Sequence, residues 1–307
     1  MRAVCLIFFV WLGMGVLQPV AAGMPLSQGL DFQQVLWAHD QARKIELIVD
    51  PEPKPTLDHV RTIVIDAGHG GDNDGAVGDV GIHEKHLTLS LAYALRAAMQ
   101  RDFPSTRVVM TRYVDRSLSL TDRVAHANRV DADLFLSLHY NAAVHPRAVG
   151  VETYFLDWEQ TSPSHAVAPS EMLAQVGSDL PAVDSNRRQG EAVGLYDDDL
   201  VTLKRDLARA TQHRRSARLA RLVQDRLLSR LSTVDRGVKQ ANFGVLRGAL
   251  MPAVVVEAGF LTHPVEGRDL MTERHRSNVI RSLVEAVVAF DQELAGVAVG
   301  SGNEMPD

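Results

Sequence analysis

Short apolar runs alternate with stretches of helical periodicity between residues 61 and 294. Runs such as TIVID and AVVVE are short and β-branched, which is typical of buried strands, whereas Leu87, Leu91 and Leu95 recur at a helical interval. The predicted order is strand 61–66, helix 84–101, strand 107–111, helix 119–130, strands 134–138, 151–155 and 253–257, and helix 277–294. This alternation predicts an α/β fold, a largely parallel twisted sheet flanked by helices, as a single domain over 61–295.

The alternation is interrupted by an insertion that we place at 157–212. Residues 157–200 include nine acidic and two basic residues, three prolines and few large apolar side chains, which is typical of a loop. Residues 201–236 include ten basic and three acidic residues. An amphipathic helix is predicted here because apolar residues recur every four positions, at Leu219, Val223, Leu227 and Leu231. The insertion is either a solvated loop or a regulatory element.

The first 22 residues have the pattern of an export signal. Arg2 precedes an apolar run, and the small residues Val20-Ala21-Ala22 fit a signal-peptidase site. A retained membrane anchor is the alternative, but the apolar core is short for a span of about 20 residues. We therefore predict a signal peptide over 1–22, a linker over 23–60, a disordered tail over 296–307, and no stable membrane span after cleavage. The expected location is the periplasm or the exterior of the cell.

Composition and charge narrow the class of protein. Hydrophobic residues make up 46% of the 307 positions and charged residues 23%, values of an ordinary globular protein. The formal net charge of −6 argues against nucleic acid as a partner, because such binders usually have a basic excess. The one cysteine, Cys5, lies in the predicted signal peptide, so neither an internal disulfide nor a cysteine-based zinc site is expected.

Chemically capable side chains follow three of the predicted strands. His69 lies just past the first strand, His139 just past the third, and Glu257 at the end of the last. In open α/β sheets, ligands bind outside the carboxyl ends of the strands, so these side chains should lie at one edge. With Glu84, which opens a predicted helix, the two histidines could hold one Zn²⁺ and leave a position for water. Glu257 could then act as general base.

Each of these residues also has a structural interpretation. A lone histidine after a strand is more often a satisfied polar residue, and Glu84 could simply complement a helix N-terminus. Glu257 could pair with Arg247, and the Gly-rich loop at 68–71 could bind phosphate, although it lacks the third glycine of G-x-G-x-x-G. The convergence of several such residues on one sheet edge favours the metal site.

Several sequence blocks, in order, resemble the zinc-dependent N-acetylmuramoyl-L-alanine amidases of the Amidase_3 family. The resemblance extends over about residues 61–294 and is therefore more specific than any one motif. The matching blocks are DAGHGG at 66–71, DGA at 74–76, Gly81, Glu84-Lys85 with Leu87, Ser119-Leu120, Arg123, Ala127-Asn128, ADLFLSLH at 132–139, Asn141-Ala142, GVETYF at 150–155 and PAVVVEAGFL at 252–261.

The resemblance implies that His69, Glu84 and His139 are the ligands of one zinc ion and that Glu257 is the catalytic glutamate. It also implies hydrolysis of the amide between the lactyl group of N-acetylmuramic acid and L-Ala in peptidoglycan, in cell-wall remodelling and daughter-cell separation. Two alternatives remain open. One is another zinc peptidase of the cell wall, such as a carboxypeptidase, which would need an arginine for the terminal carboxylate. The other is a non-catalytic peptidoglycan-binding protein.

Cell-division members of this family have an insertion that blocks the zinc site until an activator displaces it. Residues 199–211 resemble the end of that insertion, and 172–180 is the best match to its blocking part. The inhibitory glutamate position is occupied by Gln175, a poor zinc ligand, but Glu171 is one helical turn earlier and could replace it. The partners implied are peptidoglycan and a LytM-domain activator acting on the insertion.

Overall fold

The computed structural model describes residues 56–145, 147–157 and 195–300. The predicted signal peptide, most of the predicted linker and the part of the insertion that contains Glu171 and Gln175 lie outside the described residues. None of the described helices is long and apolar enough to cross a bilayer.

Six of the described segments form one mixed β-sheet with the strand order β2-β1-β3-β6-β4-β5. Strands β2, β1, β3 and β6 are parallel to one another, whereas β4 is antiparallel to β6 and parallel to β5. The predicted α/β fold with a largely parallel sheet is therefore confirmed. The strands are β1 (Thr62–Ala67), β2 (Arg107–Met110), β3 (Leu134–Asn141), β4 (Val151–Leu156), β5 (Asp235–Ala241) and β6 (Ala253–Phe260).

Helices cover both faces of the sheet and create a hydrophobic core on each. The larger core includes Ile65 and Leu138 of the sheet and the face of α3 that was predicted to be apolar, with Leu219 fully buried. The smaller core lies between the other face and α2, and includes Phe135 and Val255. The helices are α1 (Glu84–Asp102), α2 (Leu120–Arg129), α3 (Leu195–Arg230), α4 (Glu266–Leu270) and α5 (Glu273–Gly300), with a 3-10 turn at Gly244–Leu246.

Strands β3 and β6 both continue beyond their predicted ends, to Asn141 and Phe260, and this changes the position of two site residues. The pairing of β3 with β6 continues through His139↔Glu257 to Asn141↔Phe260, across a register irregularity. His139 and Glu257 therefore lie inside their strands, and the prediction that His139 follows β3 and Glu257 ends β6 is wrong. Strand β5 was not predicted because its sequence, DRGVKQA, contains no apolar run.

The predicted boundaries of the insertion and the tail are also corrected. Helix α3 already begins at Leu195, so residues 195–212 belong to a helix that continues to Arg230. Helix α5 begins before the predicted residue 277 and continues to Gly300, which makes the first part of the predicted tail helical.

The last residues of the predicted linker belong to the folded domain. Leu57 and Val60 are buried in the larger core. The backbone N–H groups of residues 58–60 donate to the carboxylate of Asp291 in α5, at 2.8–3.1 Å. This carboxylate fixes the entry of the chain into β1, so the domain begins a few residues earlier than predicted.

Candidate metal centre

His69 lies in the turn that follows β1, in a left-handed backbone conformation with φ of 58°. Two buried guanidinium groups hold this turn. Arg123 donates to the carbonyl oxygen of His69 at 2.7 Å, and Arg112 donates to that of Gly68 at 2.8 Å. The ring of His69 is buried, with 8% of the residue exposed. Its position is therefore fixed by the backbone and not only by packing of the ring.

Glu84 is the first residue of α1 and is almost fully buried. Each carboxylate oxygen accepts a backbone hydrogen bond at 2.9 Å, from Ala76 to Oε2 and from Tyr140 to Oε1. Burial by itself would raise the pKa of this carboxyl group, but the neighbouring rings of His69 and His139 hold the pKa far below its usual value. Glu84 is therefore an ionised, rigidly held carboxylate.

The side chains of His69, Glu84 and His139 converge on one point, as predicted. Nε2 of His69 lies 3.0 Å from Oε2 of Glu84, and Nδ1 of His139 lies 3.0 Å from Oε1. The two ring nitrogens face each other at 3.1 Å. Burial opposes protonation of both rings; at His69 the Glu84 carboxylate outweighs it and raises the pKa, whereas at His139 burial prevails and the pKa is lowered.

This set of ligand atoms fits a zinc ion. Two imidazole nitrogens and a carboxylate oxygen are typical of a catalytic zinc site, and bonds of about 2.0–2.2 Å would space them by roughly 3.4 Å, close to the distances here. Nδ1 of His69 donates to Oδ1 of Asn73 at 2.9 Å, which leaves Nε2 with its lone pair toward the centre. A Cβ at Gly75 would lie 2.5 Å from Oε2 of Glu84, so only glycine fits there.

Glu257 lies beside this cluster, on the neighbouring strand. It is the register partner of His139, so the two side chains leave the same face of the sheet, about 4.8 Å apart in strand spacing. Glu257 is largely buried. On its other side it is the register partner of Glu152 in β4. The structure thus brings together all four predicted site residues.

Sequence reasoning missed the residues that hold the ligands. Asp66 at the end of β1 is fully buried and accepts from Arg123 at 2.8 Å, Thr111 at 2.6 Å and Ser137 at 2.7 Å. Burial lowers the pKa of Arg112 to about 10. The signal for Arg123 was its place on the same face of α2 as Ala127, one turn away, where an apolar residue would be expected.

No role was predicted for Glu152, which belongs to the motif GVETYF, although it is the one charged residue of the buried run 151–156. It is 2% exposed and lies in the row of paired residues that contains His139 and Glu257. A carboxylate in a buried strand needs compensating charge, so its position in the sequence already indicated a further polar cluster.

Comparison with known proteins agrees with this geometry. The family profile described as Amidase_3, N-acetylmuramoyl-L-alanine amidase, matches residues 63–289. N-acetylmuramoyl-L-alanine amidase AmiC of Neisseria meningitidis is 33% identical over 74% of this chain and 52% of its own length. The corresponding AmiA of Escherichia coli is 30% identical over 75% of this chain and 76% of its own length. This chain thus spans about half of the first relative and three quarters of the second.

A solved structure shows the same fold. The crystal structure of an N-acetylmuramoyl-L-alanine amidase from Clostridium difficile 630 superposes with a TM-score of 0.55 at 26% identity, covering 76% of this chain and 97% of that one. The matched family profile covers more than half of the sequence, and the matched residues include His69, Glu84, His139 and Glu257. The chain belongs to the Amidase_3 family of N-acetylmuramoyl-L-alanine amidases.

Proposed function

We propose that this protein is a zinc-dependent amidase that hydrolyses the bond between the lactyl group of N-acetylmuramic acid and L-Ala in peptidoglycan. The observation that carries the proposal is the buried convergence of His69, Glu84 and His139, with Glu257 in register beside them. Family membership supports the substrate, since the geometry alone fits several amide hydrolases.

In the proposed reaction, His69, Glu84 and His139 would hold one Zn²⁺, which would polarise the scissile carbonyl and make the attacking water more acidic. Glu257 accepts a proton from the attacking water at its carboxylate. It then returns this proton to the amide nitrogen, which leaves as the free amine of L-Ala. Glu257 lies on a buried strand, in register with His139 on the neighbouring strand. The strand pairing therefore keeps the distance between the proposed base and the proposed metal ligands constant.

The cellular setting belongs to the same proposal. The export-type N-terminus and the cell-wall substrate support a periplasmic or secreted protein that acts in cell-wall remodelling and daughter-cell separation. A LytM-domain activator acting on the insertion is proposed from the resemblance of residues 199–211 to the family's regulatory segment.

Product analysis of digested sacculi tests the proposal. Zinc-loaded protein should release stem peptides with a free N-terminal L-Ala amine, detected by mass spectrometry. A chelator should abolish the release and added zinc should restore it. Release of a C-terminal amino acid would instead identify a carboxypeptidase. Binding to sacculi without any product, in zinc-loaded protein both with residues 163–194 and with these residues replaced by a short Gly/Ser linker, would identify a non-catalytic peptidoglycan-binding protein.

A further inference from the structure

A charged cluster lies on the sheet face of the active site, two strands away from His139. Its centre is Glu152, the register partner of Glu257. Oε1 of Glu152 accepts from Arg236 at 2.5 Å and Asn141 at 3.2 Å, and Oε2 accepts from Lys239 at 2.5 Å. The hydroxyl of Tyr154 donates to Oε2 as well, at 2.5 Å. The buried carboxylate thus holds two cationic side chains of β5 in place.

The two cations remain accessible. The side chains of Arg236 and Lys239 are 36% and 38% exposed, whereas that of Glu152 is 2% exposed. Arg236 lies over the ring of Phe260 at 4.8 Å, and Lys239 lies 5.7 Å from the centre of the Tyr154 ring. Aromatic rings and one shared carboxylate therefore limit the motion of both side chains. Arginine has five N–H donors and lysine three, so hydrogen bonds remain for a ligand.

One cation would be enough to neutralise Glu152. Two are present, and each has N–H donors on its exposed side that Glu152 does not use, next to the proposed reaction centre. We propose that Arg236 and Lys239 bind a free carboxylate of the substrate's stem peptide, on the leaving-amine side of the scissile bond. This inference rests on the proposed function and adds a specificity site to it.

The distance between His139 and the charged cluster suits a carboxylate on the residue that follows L-Ala in the stem peptide. Two strand spacings separate His139 from Glu152, about 10 Å. In a peptidoglycan stem, the residue after L-Ala is a glutamyl unit joined through its side chain, which leaves its α-carboxylate free. That group is about two residue lengths, roughly 7 Å, beyond the scissile bond. The side chains of Arg236 and Lys239 can bridge the remaining distance because both are long.

The test compares two synthetic muramoyl peptides that differ only at this group, one with the free α-carboxylate and one with the carboxamide. For the unaltered, zinc-loaded protein, kcat/KM should be higher for the acid by about tenfold, the value of one hydrogen bond to a charged group. The difference should lie mainly in KM. Lys239→Met should collapse the acid-to-amide ratio toward one, whereas Lys239→Arg should retain it. Arg221→Met, an exposed cation on α3, is the matched control and should keep the ratio.

Equilibrium binding to the Glu257→Gln protein gives a readout without turnover. The acid should bind more tightly than the amide, again by about tenfold. Equal kcat/KM values for the two substrates in the unaltered protein would overturn the carboxylate site while leaving the amidase intact. A ratio that survives Lys239→Met in folded protein would also overturn it. Cleavage of neither substrate, both by the unaltered protein and by a protein whose residues 163–194 are replaced with a short Gly/Ser linker, would instead contradict the proposed function, and the carboxylate site with it.

Discussion

At the scale of single residues, His69 is held by a backbone conformation that few non-glycine residues adopt. Because its ring, Glu84 and His139 share one centre, loss of either imidazole should leave too few ligands for zinc. We predict that His69→Ala and His139→Ala lose bound zinc, as measured by metal analysis. Both variants should keep the native circular dichroism spectrum. His59→Ala, at an exposed histidine, is the control and should keep its zinc. Stoichiometric zinc in both site variants would refute the ligand assignment.

Glu257 should affect turnover and not metal content. Gln has the shape of Glu but cannot accept a proton, and general acid–base groups contribute on the order of 10²–10⁴-fold in rate. We predict that Glu257→Gln binds zinc normally and loses turnover by about that factor at neutral pH. Turnover and metal content are measured on the same preparation. Near-normal turnover would mean that another group is the base.

Loss of the Arg112 guanidinium should lower both the stability of the fold and the affinity for zinc. Its buried guanidinium donates to the carbonyl oxygens of Ala67, Gly68 and Lys85, at 2.8–2.9 Å. Arg112→Met leaves these acceptors without their donor, and we predict a loss of about 2–5 kcal/mol in the free energy of unfolding. Zinc affinity should fall about 10–100-fold, because residues that orient ligands act on affinity at that scale. Urea titration and chelator competition measure the two effects.

The exposed Arg129 provides the comparison, since Arg129→Met should change neither quantity. If Arg112→Met lowers stability but leaves zinc affinity unchanged, the guanidinium supports the fold and does not position the ligands.

His69, His139 and Glu257 could be predicted because they are polar and follow or end apolar runs typical of strands, and Glu84 because it opens a predicted helix. The surrounding motifs also resemble one family. The partners of Arg112, Asp66 and Glu152 could not be predicted. A buried charge is stable only with partners, and those partners are distant in sequence: Glu152 is held by Arg236 and Lys239, more than 80 residues away. Only the folded chain shows such pairs.

At the scale of elements, apolar content decided which strands could be predicted. Strand β1 has the continuous apolar pattern of a central strand, whereas β5 is a polar edge strand next to β4. The ends of β3 and β6 were placed too early because His139 and Glu257 interrupt their apolar runs. In the structure the strand pairing continues through these residues, since their side chains face the site while their backbones stay in the ladder.

Helix α3 is fixed by the apolar face that its periodicity predicted. Leu219 is fully buried against the larger core, where α3 packs on α5 and β4. We predict that Leu219→Ala lowers the free energy of unfolding by about 2–5 kcal/mol, because it removes buried methyl groups and leaves a cavity. Leu250→Ala, at a leucine that is 78% exposed, should change it by less than about 0.5 kcal/mol. Denaturant titration measures both, and equal values would mean that α3 is not anchored there.

At the scale of the whole molecule, the two faces of the sheet carry different sets of residues. The face under α1, α3 and α5 carries the larger apolar core. The other face carries the smaller core and the row from His139 through Glu257 to Glu152. Because β4 is antiparallel to β6, its first residues lie beside the end of β6 and bring Glu152 to the site. The reversal of one strand thus adds a charged residue to a site built mainly from parallel strands.

The insertion between β4 and α3 can be removed without cutting either element, because β4 ends at Leu156 and α3 begins at Leu195. If Glu171 enters the centre formed by His69, Glu84 and His139, it excludes the attacking water, and the free protein should then be nearly inactive. A partner that binds the displaced insertion would then activate the protein by population shift.

We predict that replacing residues 163–194 with a short Gly/Ser linker raises basal activity on sacculi several-fold. Glu171→Gln should reproduce the gain if this carboxylate is the block, whereas Gln175→Ala should not. Unchanged activity in a folded, zinc-loaded deletion would show that the insertion is not inhibitory.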